Sequence, residues 1–259
     1  MIKGVCTLSV IPVRTEPSDR SEQCTQLLFG ELYTVLAETA DSKWLQIQIA
    51  FDFYTGWISA LQHFAVPDSY YEAYLQQPHP VCTANGNYVV MQDNKYMLLP
   101  GSILPFYSKN KFTIAHKEYN LEGSHIRMPD ADISPVKVVV TFLGSPYMWG
   151  GKTPFGIDCS GFTQQVFRIS GMQLPRDAWQ QATCGVTINS LNEAQPGDLI
   201  FFDNDKGSVI HVGIILEKNK IIHASGEVRI DHLDTQGIWN EDRNIYTHKL
   251  RNIQRMMRN

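Results

Sequence analysis

Apolar and polar positions alternate with a period of two over the first quarter of the chain. Trp44-Leu45-Gln46-Ile47-Gln48-Ile49 is the clearest run, and side chains spaced by two line one face of a strand. Val5, Thr7 and Ser9 alternate with Leu8 and Val10 in the same way. Leu27-Leu28-Phe29-Gly30-Glu31-Leu32-Tyr33-Thr34-Val35-Leu36 sets a turn glycine between β-prone runs, and Gly56-Trp57-Ile58 closes the segment. Short strands at close spacing, with no helical period, predict a small barrel over residues 1–66. Asp68 is placed to cap a short linker helix, within 67–79, through Ser69-Tyr70-Tyr71-Glu72-Ala73-Tyr74-Leu75, which Pro78 and Pro80 end. Residues 80–130 return to weaker β character, with Asn85-Gly86-Asn87 as a hairpin-type turn and Leu99-Pro100-Gly101-Ser102 as another turn. A second, degenerate barrel fits this stretch, and an elaborated linker is the alternative.

The pattern changes near Ser134-Pro135. Pro135 at a first helical position precedes Val136 to Leu143, and Gly144 stops the helix. A second helix holds Cys159. Two strand signals follow, Asp198-Leu199-Ile200-Phe201-Phe202 and Val212-Gly213-Ile214-Ile215-Leu216. Helices first and meandering strands after predict an α+β domain over 134–259.

Composition narrows the function. The chain has 259 residues, enough for two or three modules, and its 43% hydrophobic content fills a real core. A net charge of -4 gives no basic footprint for nucleic acid or an anionic membrane. No apolar run approaches the ~20 residues of a membrane helix. Thr7 and Ser9 interrupt the N-terminal apolar stretch and no small-x-small site follows, so a strand is expected there, not a signal peptide. Five cysteines, at 6, 24, 82, 159 and 184, show no C-x-x-C spacing for zinc or a redox couple. The low, odd count reads as a reduced, cytosolic thiol set.

One thiol stands out. Asp158 can cap a helix that starts at Cys159 and that Gly171 ends. The unpaired N–H groups and positive dipole end there favour thiolate over thiol and can hold a developing oxyanion. A nucleophilic thiol also needs a base that a third group orients. His211 and His223 flank a predicted hairpin, Val212–Leu216 and Lys220–Ile222, turned at Glu217-Lys218-Asn219. An odd loop puts both rings on one face, diagonally adjacent; an even loop puts them on opposite faces. On one face, His211 takes the Cys159 proton and His223 fixes its tautomer. Cys6, Cys24, Cys82 and Cys184 read as packing residues, and His63, His79, His116, His125, His232 and His248 as structural or surface residues.

Tyr147-x-Trp149-Gly150-Gly151 followed by Asp158-Cys159-Ser160-Gly161-Phe162 resembles the NlpC/p60 cysteine peptidases. Leu174-Pro175-Arg176-Asp177, Pro196-Gly197-Asp198-Leu199-Ile200-Phe201-Phe202, His211-Val212-Gly213-Ile214 and Ile222-His223-Ala224-Ser225 continue the match in order, within residues 134–250. The resemblance implies a papain-like domain that cleaves peptidoglycan stem peptides, usually between D-γ-glutamate and the L-diamino acid at the third position. It implies Cys159 as nucleophile, His211 as base, His223 as orienting residue, Tyr147 beside the oxyanion, and no metal or organic cofactor. The N-terminal strands resemble bacterial SH3-like domains, through Val13-Arg14, the Leu28-Phe29-Gly30-Glu31 strand, Trp44-Leu45-x-Ile47 and Gly56-Trp57-Ile58.

One or two SH3-like barrels before the peptidase is a layout similar to the dipeptidyl-peptidase VI subfamily, cytoplasmic enzymes that release L-Ala-γ-D-Glu from free murein peptides. That likeness implies that the first barrel caps the cleft. Glu31 and Tyr54 match the acid and tyrosine that hold the substrate's free α-amine. Asp158, Ser160 and Asp177 match further contacts to the dipeptide, and Ala178 departs from a common Ser. The expectation is a cytoplasmic γ-D-glutamyl-L-diamino-acid endopeptidase, for diaminopimelate or lysine, that recycles cell-wall peptides. Its partner is a small peptide, with no nucleic acid, membrane or required protein. The rivals are a secreted or periplasmic D,L-endopeptidase with wall-binding SH3-like domains, a non-catalytic wall-binding protein, and a phage-type amidase. The three filled catalytic positions argue against the second of these, and the Asp158–Phe162 context against the third.

Overall fold

The computed structural model describes residues 1–91, 94–128 and 132–258. The chain divides into two compact units, Met1–Ala131 and Asp132–Asn259. The expected domain boundary at residue 130 lies outside the described residues.

In the first unit, β1 (Lys3–Val5), β2 (Val10–Arg14), β3 (Gln23–Leu28), β4 (Leu32–Glu38), β5 (Trp44–Ile49), β6 (Thr55–Ser59) and β7 (Ala65–Val66) form one antiparallel sheet in the order β3-β2-β6-β5-β4-β1-β7. The period of two is realised in β5 and β2, but not through the N-terminal run, where residues 6–9 are irregular backbone between β1 and β2. Leu45, Ile47 and Ile49 of β5 and Ile11 and Val13 of β2 are buried, and residues between them are half-buried. They pack with Leu27, Tyr33 and Ile58 into one core.

Helix α1 (Asp68–Leu75) follows. Asp68 does not cap it: the residue before the first turn is Pro67, extended at φ -62 and ψ 151, and Asp68 is already helical. Its carboxylate still lies at the positive end of the helix dipole. The helix is also more than a linker. Tyr70 and Tyr74 are buried, with their hydroxyls donating to Thr113 O at 3.1 Å and Gly30 O at 2.9 Å.

Residues after α1 form β8 (Val81–Cys82), β9 (Asn87–Met91), β10 (Asn94–Leu98), β11 (Lys111–Ile114), β12 (Lys117–Glu122) and β13 (Ile126–Arg127). The four strands β10-β9-β12-β11 make an open sheet, and β8 pairs with β13 as a separate ribbon. Asn85-Gly86-Asn87 is therefore a turn between two strands that do not pair, rather than a hairpin: Asn87 instead ties to His125 through Nδ2–H to O at 2.7 Å and His125 N–H to Oδ1 at 3.1 Å. Phe112 joins this sheet to the first strands' side of the unit. Its ring meets Phe29 edge-on at 5.6 Å and stacks on Tyr119 at 5.5 Å, in a core shared with Val5, Leu32, Tyr70 and Tyr74.

In the second unit, α2 (Pro135–Val138) passes into a 3-10 turn over Val139–Phe142. The predicted helix to Leu143 thus shortens. Val136, Val138, Val139 and Val140 crowd χ1 against the preceding turn, which lowers helix propensity. A ribbon of β14 (Lys152–Thr153) and β15 (Gly156–Ile157) leads into α3 (Cys159–Ile169) and then α4 (Ala178–Gln181). The remaining strands are β16 (Val186–Ile188), β17 (Leu199–Asp203), β18 (Val209–Glu217), β19 (Lys220–Ser225), β20 (Glu227–Leu233), β21 (Gly237–Asn240) and β22 (Ile245–Arg255). They order as β16-β22-β17-β18-β19-β20-β21, and β22 pairs with β21 as well as β17, so β17 to β22 close on themselves. One strand serves both edges because β22 is long and irregular: its first residues pair with β21 and Lys249 to Gln254 pair with β17, with register shifts in both ladders. Ile200, Phe202, Ile215, Ile221, Leu233, Ile238 and Ile253 make one apolar cluster of this sheet. Helix α3 packs against β18 and β19.

If residues 80–130 are integral to the first unit, Phe112→Ala should cost about 3–5 kcal/mol in urea unfolding of that unit. A cost under about 1 kcal/mol would identify the stretch as a loosely attached linker.

Candidate active site

Asp158 starts α3. Its backbone is extended, at φ -94 and ψ 176, and its Oδ1 accepts the Gly161 N–H at 2.7 Å. This satisfies one of the N–H groups a helix start leaves unpaired. Oδ2 accepts the Gly150 N–H at 2.8 Å, which ties the Trp149-Gly150-Gly151 turn to the helix. Arg176, itself 2% exposed, closes the arrangement: Nη2 donates to Oδ2 at 2.5 Å, and Nη1 to Oδ1 at 3.1 Å and to Ser160 Oγ at 2.8 Å. Ser160 Oγ lies 3.3 Å from Oδ1. The turn and helix meet so closely that a Cβ on Gly161 would lie 2.2 Å from Gly151 O.

One expectation changes here. Asp158 was expected to contact substrate, but both its oxygens are already occupied by protein donors, so its part is to frame the site. Arg176, part of the Leu174-Pro175-Arg176-Asp177 stretch, is buried on Asp158, and Lys152 is buried too. Asp177 precedes α4, where its N–H donates to Gln180 Oε1 at 3.2 Å, and Ala178 is the first residue of that helix. Gln181 returns to the start of α3, with Nε2 donating to Ser160 O at 3.1 Å.

Cys159 is 7% exposed. Burial pushes its thiol up to about 12; the Asp158 charge adds to this, and hydrogen bonds from the backbone of Val212 and Ser160, with the Arg176 charge, offset it only in part. Desolvation thus works against the thiolate that the helix N-terminus favours. Tyr147, whose side chain is exposed, feels the same charges. Burial, then Cys159 and Asp158, push its hydroxyl up to about 12, so it stays a donor.

The hairpin parity resolves in favour of a shared face. His223 stands opposite Gly213, so His211 is its diagonal neighbour. The turn between Glu217 and Lys220 has two residues, an even count, with Asn219 at φ 63, and a register shift between Ile215 and Glu217 leaves Leu216 as an extra residue that restores odd parity. His211 Nε2 lies 2.8 Å from His223 Nδ1. Gly213 stands between the two rings' strands positions, and a Cβ there would come within 2.6 Å of Ile221 Cδ1 and 3.0 Å of His223 Cβ.

The opposite side of His211 is covered by His248 of β22, stacked at 4.1 Å and 24°. Burial, with the nearby His223 and His248, holds His211 well below the usual histidine range, and burial and His223 push His248 down to about 4. Both rings are therefore neutral near pH 7. The Val212 amide on the Cys159 thiol brings the strand of His211 to the start of α3. A buried thiol, a neutral imidazole with one nitrogen engaged and a phenolic donor can together transfer an acyl group.

Sequence reasoning passed over His248 and Asp231, which lies beyond His223. No sequence signal marked Asp231, because only the register of β19 and β20 brings it to the rings. In the first unit, Glu31 is 1% exposed, not a solvated strand end, and its Oε2 accepts the Leu28 N–H at 2.5 Å. Tyr54 packs half-buried against the first core. Among the described residues no group of three or more His, Cys, Asp or Glu is arranged to hold a metal ion, and no helix is long and apolar enough to cross a membrane.

Residues 144–246 match the model of the NlpC/P60 family, and residues 13–62 match that of the bacterial dipeptidyl-peptidase Sh3 domain. A γ-D-glutamyl-L-lysine dipeptidyl-peptidase of Bacillus cereus is 37% identical over 146 residues, 54% of this chain and 42% of that protein. A protein of the same name from Bacillus subtilis is 27% identical over 241 residues, 85% of this chain and 74% of that protein. The chain thus spans less than half the length of the first of these relatives. The crystal structure of an NlpC/P60 family protein from Bacillus cereus shares the fold, with a TM-score of 0.83 over 98% of this chain and 99% of that one at 21% identity. An NlpC/P60 endopeptidase from Photobacterium damselae subsp. piscicida reaches 0.71 over 96% of this chain and 70% of that one at 18% identity.

Two outcomes follow from this geometry. Iodoacetamide labelling of Cys159, followed by mass spectrometry, should rise about tenfold per pH unit to about pH 10; a plateau near neutrality would mean a resting thiolate. Gly213→Ala should lower kcat/KM roughly 100-fold while the protein stays folded by circular dichroism, because the added methyl displaces His223.

Proposed function

We propose that the chain, whose residues 144–246 match the NlpC/P60 family, is a γ-D-glutamyl-L-diamino-acid endopeptidase that releases L-Ala-γ-D-Glu from free murein peptides. The observation that carries the reading is the His211–His223 pair at 2.8 Å, with His211 on the strand whose Val212 amide meets the Cys159 thiol. The names of the Bacillus relatives and the dipeptidyl-peptidase type of Sh3 domain support the substrate class. The compartment this reading assigns is the cytoplasm.

The reaction starts from a neutral site. The Cys159 proton passes to His211 Nδ1 as sulfur attacks the γ-carbonyl carbon of D-Glu. The carbonyl electron pair moves to oxygen, which the Tyr147 hydroxyl and the N–H groups at the start of α3 hold. The C–N bond then breaks, and His211 gives its proton to the departing amine of the diamino acid. Water attacks the thioester, again losing a proton to His211, and sulfur leaves with that proton restored. Coupling proton transfer to attack suits a thiol that burial keeps neutral.

Substrate length is read at the other end. Glu31 and Tyr54 are assigned to the free α-amine of L-Ala, where a buried carboxylate gives a charge-assisted bond that an acylated amine lacks. Ser160 and Asp177 are assigned to the remaining polar groups of the dipeptide.

The test is incubation with L-Ala-γ-D-Glu-L-Lys, its diaminopimelate analogue and their N-acetyl forms, with products identified by mass. Cleavage of the free forms alone is expected. Equal cleavage of the N-acetyl forms, or release of peptides from whole sacculi, would instead favour a D,L-endopeptidase acting on intact wall. Cys159→Ser should abolish turnover, and Glu31→Gln should lower kcat/KM about 10- to 100-fold for the free peptide.

A further inference from the structure

His223 does not end the line of rings. Its Nε2 lies 2.9 Å from Asp231 Oδ2, and the Asp231 side chain is 5% exposed. Strand register makes the contact: β19 and β20 pair His223 with Arg229 and Ile221 with Asp231, so Asp231 is the diagonal neighbour of His223, as His223 is of His211. Arg229 Nη2 donates to Asp231 Oδ1 at 3.0 Å and to Asp242 Oδ2 at 2.6 Å.

We propose that Asp231 is a positioning residue of this site: its carboxylate sets the direction of both hydrogen bonds in the line Asp231–His223–His211 and so leaves Nδ1 of His211 bare to take the Cys159 proton. The inference rests on His211 being the base.

An ionised carboxylate only accepts, so the bond at 2.9 Å needs the proton on His223 Nε2. A neutral imidazole carries one ring proton, so His223 Nδ1 is then an acceptor. It faces His211 Nε2 at 2.8 Å, and His211 must donate from that atom. The only lone pair left on His211 is at Nδ1. Reversing the line would need a proton on Asp231. Burial raises the Asp231 carboxyl, but hydrogen bonds from His223 and Arg229 outweigh it, and the net direction is down. Arg229, held by Asp242, keeps the acid charged. When His211 becomes an imidazolium during acyl transfer, the same carboxylate stabilises it through His223.

Asp231→Asn keeps the shape and reverses the line. Its amide donates to His223 Nε2, His223 then donates from Nδ1 to His211 Nε2, and His211 carries its proton on Nδ1, the wrong atom. The expected result with free L-Ala-γ-D-Glu-L-Lys is a fall in kcat of about 10³- to 10⁴-fold, KM within about twofold, and recovery of part of kcat in Asp231→Glu, which still accepts. Ring 15N shifts of the wild-type protein should report the Nε2–H tautomer for both His211 and His223, and those of the Asn variant the Nδ1–H tautomer. Wild-type kcat in Asp231→Asn, or Nδ1–H tautomers in the wild type, would overturn the proposal. The wild-type spectrum decides even if the Asn variant fails to fold. Failure of the underlying reading looks different: there, Cys159→Ser stays active whatever Asp231 does.

Discussion

The second unit depends on one carboxylate. Asp158 caps α3, anchors the Gly150 turn and receives both arms of a buried Arg176. Removing either charge would strand the other away from water, which costs about 3–5 kcal/mol in such pairs. The constraint is also geometric. Once the carboxylate is fixed, Cys159 can occupy only the first position of the helix, and Gly161 must lie against Gly151. A thiol held this way needs no flexibility of its own to present its sulfur in one direction.

The other half of the site is built by sheet register. Side chains at alternate positions of β18, β19 and β20 share one face, which places His211, His223 and Asp231 on three neighbouring strands in a diagonal line. His248 arrives from β22, the strand that closes the sheet. Burial runs opposite to what an exposed thiolate–imidazolium pair needs: it pushes the Cys159 thiol up and holds His211 and His248 down. Charge then appears only during the reaction, where fixed donors meet it.

Much of this was legible in the sequence because it is local. The alternation of Trp44 to Ile49, the cap at Asp158 and the stop at Gly171 are decided within a few residues. One error was local: the β-branched Val136, Val138, Val139 and Val140 shorten the α-helix. The others arose where a longer-range effect won. Asn85-Gly86-Asn87 has hairpin composition, yet the strands beside it pair elsewhere. The thiolate expectation weighed the helix end and not the burial. The role of Arg176 and the presence of Asp231 depend on residues 18 and 8 positions away in the chain from their partners, and no local pattern reports such pairings.

The bulge at Leu216 has a further consequence. A two-residue turn alone would place His211 and His223 on opposite faces; the extra residue in β18 corrects it. The turn itself is therefore free to vary: residues added at Lys218-Asn219 leave the ladder, and with it both rings, unchanged. Between the bulge and either histidine the freedom ends, because a single insertion or deletion within those paired residues turns one ring to the other face. A site made of side chains is thus guarded by the count of backbone residues inside the ladder, not by the length of the turn.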